Sequence, residues 1–173
     1  MRKVTLTALL SLVIAISFAQ TTQQPPRPCA VDPVYREFDF WIGEWDVFGK
    51  NGQKGGDSKI SLILDSCIIL EEWTGTSGYT GKSYNTYNRT TKQWQQTWVD
   101  NKGGSTEFLR GHGEKDKIVF YADKVLAPDG KSFMRRLTFY RLSDDKVRQH
   151  GERSDDGGKE WTTEYDLEYR RKK

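Results

Sequence analysis

Chemistry-bearing residues fall in a few places along the sequence. The stretch "FDFWIGEWDV", Phe38 to Val47, sets Asp39, Glu44 and Asp46 among four aromatic rings. Carboxylates flanked by stacking surfaces suit catalysis or the binding of a sugar. Equally, the rings can close one end of a β-structure while the acids face water. Farther along, Glu72, Arg135 and His150 are the candidates for acid–base and electrostatic roles, since a group titrating near neutrality exchanges protons readily. Tyr84, Gln96, Trp98, Arg135, Gln149 and Tyr165 offer stacking surface and hydrogen bonds for a small-molecule ligand. His112 and His150 are each followed by glycine, and His150 shares a face with Arg148 and Glu152, the pattern of a solvated surface. There is no Cys/His cluster, no Ser/His/Asp set at local spacing and no phosphate-cradling glycine loop, so neither metal nor cofactor is expected.

The elements that must position these residues read as strand, turn, strand from residue 44 onward. In "KEWTTEYDLEYRR" Trp161, Thr163, Tyr165, Leu167 and Tyr169 alternate with Thr162, Glu164, Asp166, Glu168 and Arg170. Such period-two alternation marks a half-buried strand of an antiparallel sheet. Turn signals such as "NG", "DNKGG", "APDG" and "SDDGG" punctuate the runs at short intervals. About ten strands result, roughly 44–50, 55–64, 67–75, 80–88, 92–100, 105–113, 116–125, 132–142, 145–153 and 159–170. Short connections pair nearest neighbours. An open sheet of that size would expose long edges, so the expected fold is all-β, an antiparallel up-and-down barrel of about ten strands. A two-sheet sandwich would need longer crossovers, which the sequence lacks.

Residues 1–19 have the form of a secretory signal peptide: Arg2 and Lys3, the apolar run "VTLTALLSLVIAI", then small residues before a cut after Ala19. A proline-rich arm over 20–36 and a single barrel domain over 37–173 follow. Cys29 lacks the small-residue context of a lipoprotein. Cleavage removes two of the 27 basic side chains, leaving them balanced against 24 acidic ones to within about one charge. That balance gives no broad basic face for nucleic acid. No later run is apolar enough for stable membrane insertion, so a secreted or periplasmic protein is expected. An oxidising compartment permits one disulfide between Cys29 and Cys67; two separate thiols are the alternative.

"IGEW" places Gly43-x-Trp45 where the first strand begins. This resembles the G-x-W signature of the lipocalins and the wider calycin group of β-barrels. The resemblance implies a short helical turn, here "REFDFW", before the first strand. It also implies a Trp packed across the closed barrel end under a late Arg, for which Arg170 or Arg171 is available. "FDFWIGEWDV", "DSCIILEEW", "GKSYNTYN" and "QWQQTWVDNKGG" together resemble a family of secreted bacterial β-barrels of unassigned function, over nearly all of the mature chain. Nitrobindin-type haem barrels share the G-x-W-like start, but their haem-ligating His near the C-terminus has no counterpart after His150.

If the barrel is closed, strand three carries a Glu inward on either face, Glu71 with Trp73 or Glu72 with Leu70. Strand eight likewise carries an Arg inward, Arg135 or Arg136. Buried charges must pair or line a wet cavity. The expectation is therefore an exported barrel that binds a small amphipathic or polar molecule inside, with Gln96, Arg135 and a Glu orienting it. An enzyme of the same shape, an isomerase, lyase or hydrolase, is the alternative.

Overall fold

The computed structural model describes residues 27–173; the expected signal peptide and residues 20–26 of the proline-rich arm lie outside the described residues. Ten long strands make the barrel: β1 Gly43–Gly49, β2 Lys54–Ile63, β3 Ile68–Gly75, β4 Thr80–Asn88, β5 Gln93–Asp100, β6 Ser105–Glu114, β7 Lys117–Tyr121, β9 Ser132–Ser143, β10 Lys146–Ser154 and β11 Thr162–Arg171. β8, Val125–Leu126, is a two-residue ribbon on the start of β9. Every long strand pairs antiparallel with the next, β7 passes to β9, and β11 returns to β1, so the sheet closes. The expected strand over 116–125 is the one that breaks. After Tyr121 only Ala122 still donates to the neighbouring strand, at 3.0 Å to the Arg135 carbonyl, before the chain leaves for the "APDG" hairpin.

The chain before β1 covers one end of the barrel. A four-residue helix, Pro28–Val31, and two 3-10 turns, Pro33–Arg36 and Asp39–Trp41, lie across it. The Cys29–Cys67 disulfide ties this segment to the β2–β3 turn, and Arg36 Nη2 donates to the Ser66 carbonyl at 2.7 Å. Phe38 and Trp41 are wholly buried, stacked 5.1 Å apart, with Trp41 4.5 Å from Phe139. Trp45 Nε1 donates to the Trp41 carbonyl at 2.8 Å, locking turn to strand.

Gly43 has φ +141°, and a Cβ there would collide with the Arg171 guanidinium. That guanidinium lies 4.2 Å over the Trp45 ring and donates to the Ile42 carbonyl at 3.1 Å. The Arg over the Trp is therefore Arg171 and not Arg170. Alternation decides it, because Tyr169 points inward and Arg170 outward, where it stacks on Phe48 at 4.1 Å. Among the described residues no helix is long and apolar enough to cross a membrane.

Candidate functional site

The barrel interior is built in three tiers. The lowest is apolar, with Phe38, Trp41, Trp45, Trp94, Phe120, Phe139 and Val147 packed without water-facing surface. Above it lies a polar tier. Glu71 on β3 is 2% exposed and accepts from Ser58 at 2.9 Å, Ser83 at 2.9 Å and Tyr169 at 3.1 Å. Asn85 donates to Ser83 at 3.0 Å, and Gln96 donates to Asn85 at 2.7 Å, so the network spans β2 to β5. On the opposite wall the Tyr169 hydroxyl also lies 2.8 Å from Gln149 Oε1. It has one proton for two acceptors; a neutral Glu71, or a Gln149 amide turned the other way, supplies the second.

The third tier surrounds a cavity of about 590 Å³, open between the β3–β4 and β5–β6 turns and the start of β11. Its aromatic rings lie flat on the wall because glycines stand behind them. A Cβ on Gly56 would come within 2.8 Å of the Trp73 ring, and on Gly81 or Gly151 it would overlap Trp98 or Tyr165. The missing side chains thus keep the lumen empty. Tyr79 donates to Asp100 at 3.0 Å at the rim, while Arg135 grips Glu164 through two hydrogen bonds, 2.9 and 3.2 Å.

A β-bulge puts Glu164 there. Gly151 faces Tyr165 but Glu152 faces Thr163, so the extra residue Glu164 leaves the outward row and joins Tyr165 at the cavity. Burial, with no cation near it, holds the Glu71 carboxyl above the usual range, though the three hydrogen bonds pull it partly back. Desolvation, and after it the Glu71 charge, pushes the Tyr169 and Tyr165 hydroxyls well up. Asp100 is held low by the backbone N–H groups of Gly104 and Lys102.

Gln96, Trp98, Arg135, Gln149 and Tyr165 all line this cavity. Three candidates do not. Glu72 points out of the barrel and pairs with Lys82 at 2.8 Å, so the interior acid of β3 is its neighbour Glu71. Tyr84 is 41% exposed on the outer face, because Ser83 and Asn85 take the inward positions of β4. His150 faces outward between Thr138 and Asp166, with Nε2 3.0 Å from Thr163 Oγ1; His112 contacts Glu114 on the outside. Asp46 pairs with Lys54 and Glu44 is exposed, leaving the opening motif's acids outside the lumen. Asp39 sits by Arg36 at the closed end, its carboxyl raised by partial burial.

Sequence reasoning missed Glu164, Tyr169 and the Ser58–Ser83–Asn85 row. For Glu71 a signal existed: it shares its face with Trp73, the largest side chain of β3.

No protein-family model matches this sequence, and no curated protein matches it either. The geometry must therefore speak for itself: a polar floor, aromatic walls and one ion pair at the rim can hold and orient a small molecule, and Glu71 can exchange a proton with it.

Proposed function

We propose that the protein is an exported, calycin-like barrel that binds a small amphipathic or polar molecule in its interior. One observation carries this reading: Glu71, Gln96, Gln149 and Tyr169 turn a hydrogen-bonded floor toward about 590 Å³ of open space in the barrel interior. Aromatic walls supply affinity, and the polar floor with Arg135 supplies orientation. The leader-like N-terminus and the disulfide support a secreted or periplasmic setting. G-x-W, with Arg171 over Trp45, supports the calycin likeness. Near-neutral charge favours a small molecule over nucleic acid.

Native mass spectrometry of protein purified from its own periplasm or medium, with N-phenyl-1-naphthylamine fluorescence, tests the proposal. A copurifying small molecule and a one-to-one fluorescence rise are expected. A bare mass together with no rise overturns it. A second reading, an acid–base enzyme, draws on the raised Glu71 carboxyl beside the Tyr169 hydroxyl. It requires a cavity-bound compound to be converted, and for that conversion to stop in Glu71→Gln.

A further inference from the structure

Building on the interior-binding reading, we infer that the cavity takes an organic monocation, a protonated amine with a flat apolar body, whose ammonium sits on Glu71. Three features of the site point to it. First, Glu71 is a deeply buried carboxyl at the cavity floor with no ion-pair partner among the described residues. An ionised carboxylate accepts at about four sites. Ser58 and Tyr169 occupy Oε1 and Ser83 occupies Oε2, which leaves Oε2 one acceptor position.

Second, the charges facing the lumen favour a cation. Glu71, Asp100 and Glu164 line it, and the guanidinium that faces them is that of Arg135. Arg135 is already engaged by both Glu164 oxygens, while Arg136 turns to the outer face, held there by both oxygens of Glu152 on β10. An anion entering would meet a guanidinium that is spoken for and a carboxyl that repels it. An ammonium would meet Glu71 at the floor, a buried acid without a counter-charge among the described residues; Asp100 at the rim also lacks one, but Tyr79 and the Lys102 and Gly104 N–H groups already donate to it. Third, Trp73, Trp98 and Tyr165 lie flat along the walls, presenting the negative faces of their rings, which attract a desolvated cation and stack on its apolar body.

The groups around Glu71 on each neighbouring element are neutral or acidic: Ser58 on β2, Ser83 and Asn85 on β4, Gln149 on β10, and Tyr165 and Tyr169 on β11. A bound ammonium holds Glu71 ionised, so binding expels any proton the free protein keeps there. Affinity should then rise with pH through the titration of Glu71 and level off above it.

Calorimetry with tryptamine and with indole-3-propionate, the same ring carrying opposite charge, provides the test. N-phenyl-1-naphthylamine, neutral at these pH values, serves as the competitor. Tryptamine should displace the probe and bind at least ten-fold tighter than indole-3-propionate at pH 7.5. Its affinity should fall at least two-fold by pH 4.5. Glu71→Gln should lose at least ten-fold and flatten the Glu71 part of the pH profile, leaving only what Asp100 and Glu164 contribute. Equal or tighter binding of indole-3-propionate overturns the inference, as does a folded Glu71→Gln that keeps its tryptamine affinity. The charge-matched pair needs no variant, so the test stands even if Glu71→Gln misfolds. Probe binding that neither indole compound displaces overturns the cation while sparing interior binding; no binding of probe or tryptamine, together with a bare mass, overturns both.

Discussion

The two ends of the barrel are built from the same strands and do opposite things. At the closed end Ile69, Trp94, Phe139 and Val147 meet the Phe38–Trp41 plug, and each is at most 1% exposed. A few residues along the same strands, Trp73, Trp98, Arg135 and Gly151 surround open space. Strand direction and alternation are common to both ends, so the difference lies in what stands behind each ring. At the closed end rings pack mainly on rings; at the open end they pack on glycine. One end holds the fold together, and the other leaves room for a ligand.

Truncation at the closed end should break the comparison most violently. Trp41→Ala removes a wholly buried ring that touches Phe38, Phe139 and Tyr169. It should cost about 3–5 kcal/mol in urea denaturation. Trp98→Ala at the rim should cost under about 2 kcal/mol, because that ring is only partly buried. Equal losses would mean that the ends do not divide the work. Next comes the disulfide, which closes a loop of 38 residues over the plug. Replacing both Cys29 and Cys67 by Ala should cost about 3–4 kcal/mol, read the same way.

Acids inside and outside the barrel should respond to pH in opposite senses. Outside, the Arg148 hydrogen bonds, aided by Lys50, lower Asp166 from 3.8 to about 2. Its stabilisation is therefore complete above the unfolded value and disappears as pH falls toward 2. With allowance for solvent at Arg148, that amounts to about 1–2 kcal/mol. The loss between pH 5 and pH 2 should be smaller by that amount in Asp166→Asn. Inside, the raised Glu71 carboxyl makes the native state the better proton binder, so its contribution erodes as pH rises through the titration. Glu71→Gln should flatten that decline.

Much of the fold was legible because alternation and turn residues are local signals. The strand expected over 80–88 is β4, Thr80–Asn88, and the disulfide and the G-x-W start stand where the sequence put them. The site was legible only in part. Period two says that Glu71 and Glu72 oppose each other, but the inward face is fixed by pairing with β2 and β4, which no local window contains. Glu164 was hidden for a related reason: the bulge opposite Gly151 breaks the alternation that had assigned it outward. Arg171 was separable from Arg170 by alternation alone, since it shares the inward face of Tyr169.

The finest test of the comparison adds a single methyl group. Gly151 has an ordinary backbone conformation, and the atoms a Cβ would meet there all belong to the Tyr165 ring. That ring borders open lumen, so it can swing away from the wall without moving a strand. Gly151→Ala should therefore change stability by less than about 1 kcal/mol. The displaced ring would occupy the cavity, and N-phenyl-1-naphthylamine binding should weaken at least ten-fold. At the closed end the same change has no such outlet: a Cβ on Gly111 would lie 2.7 Å from the Trp94 carbonyl and 2.8 Å from the buried Phe120 ring. Gly111→Ala should thus lose stability and leave probe binding to the folded protein intact. If the two variants fail in the same way, the glycines of the open end are not what holds the lumen open.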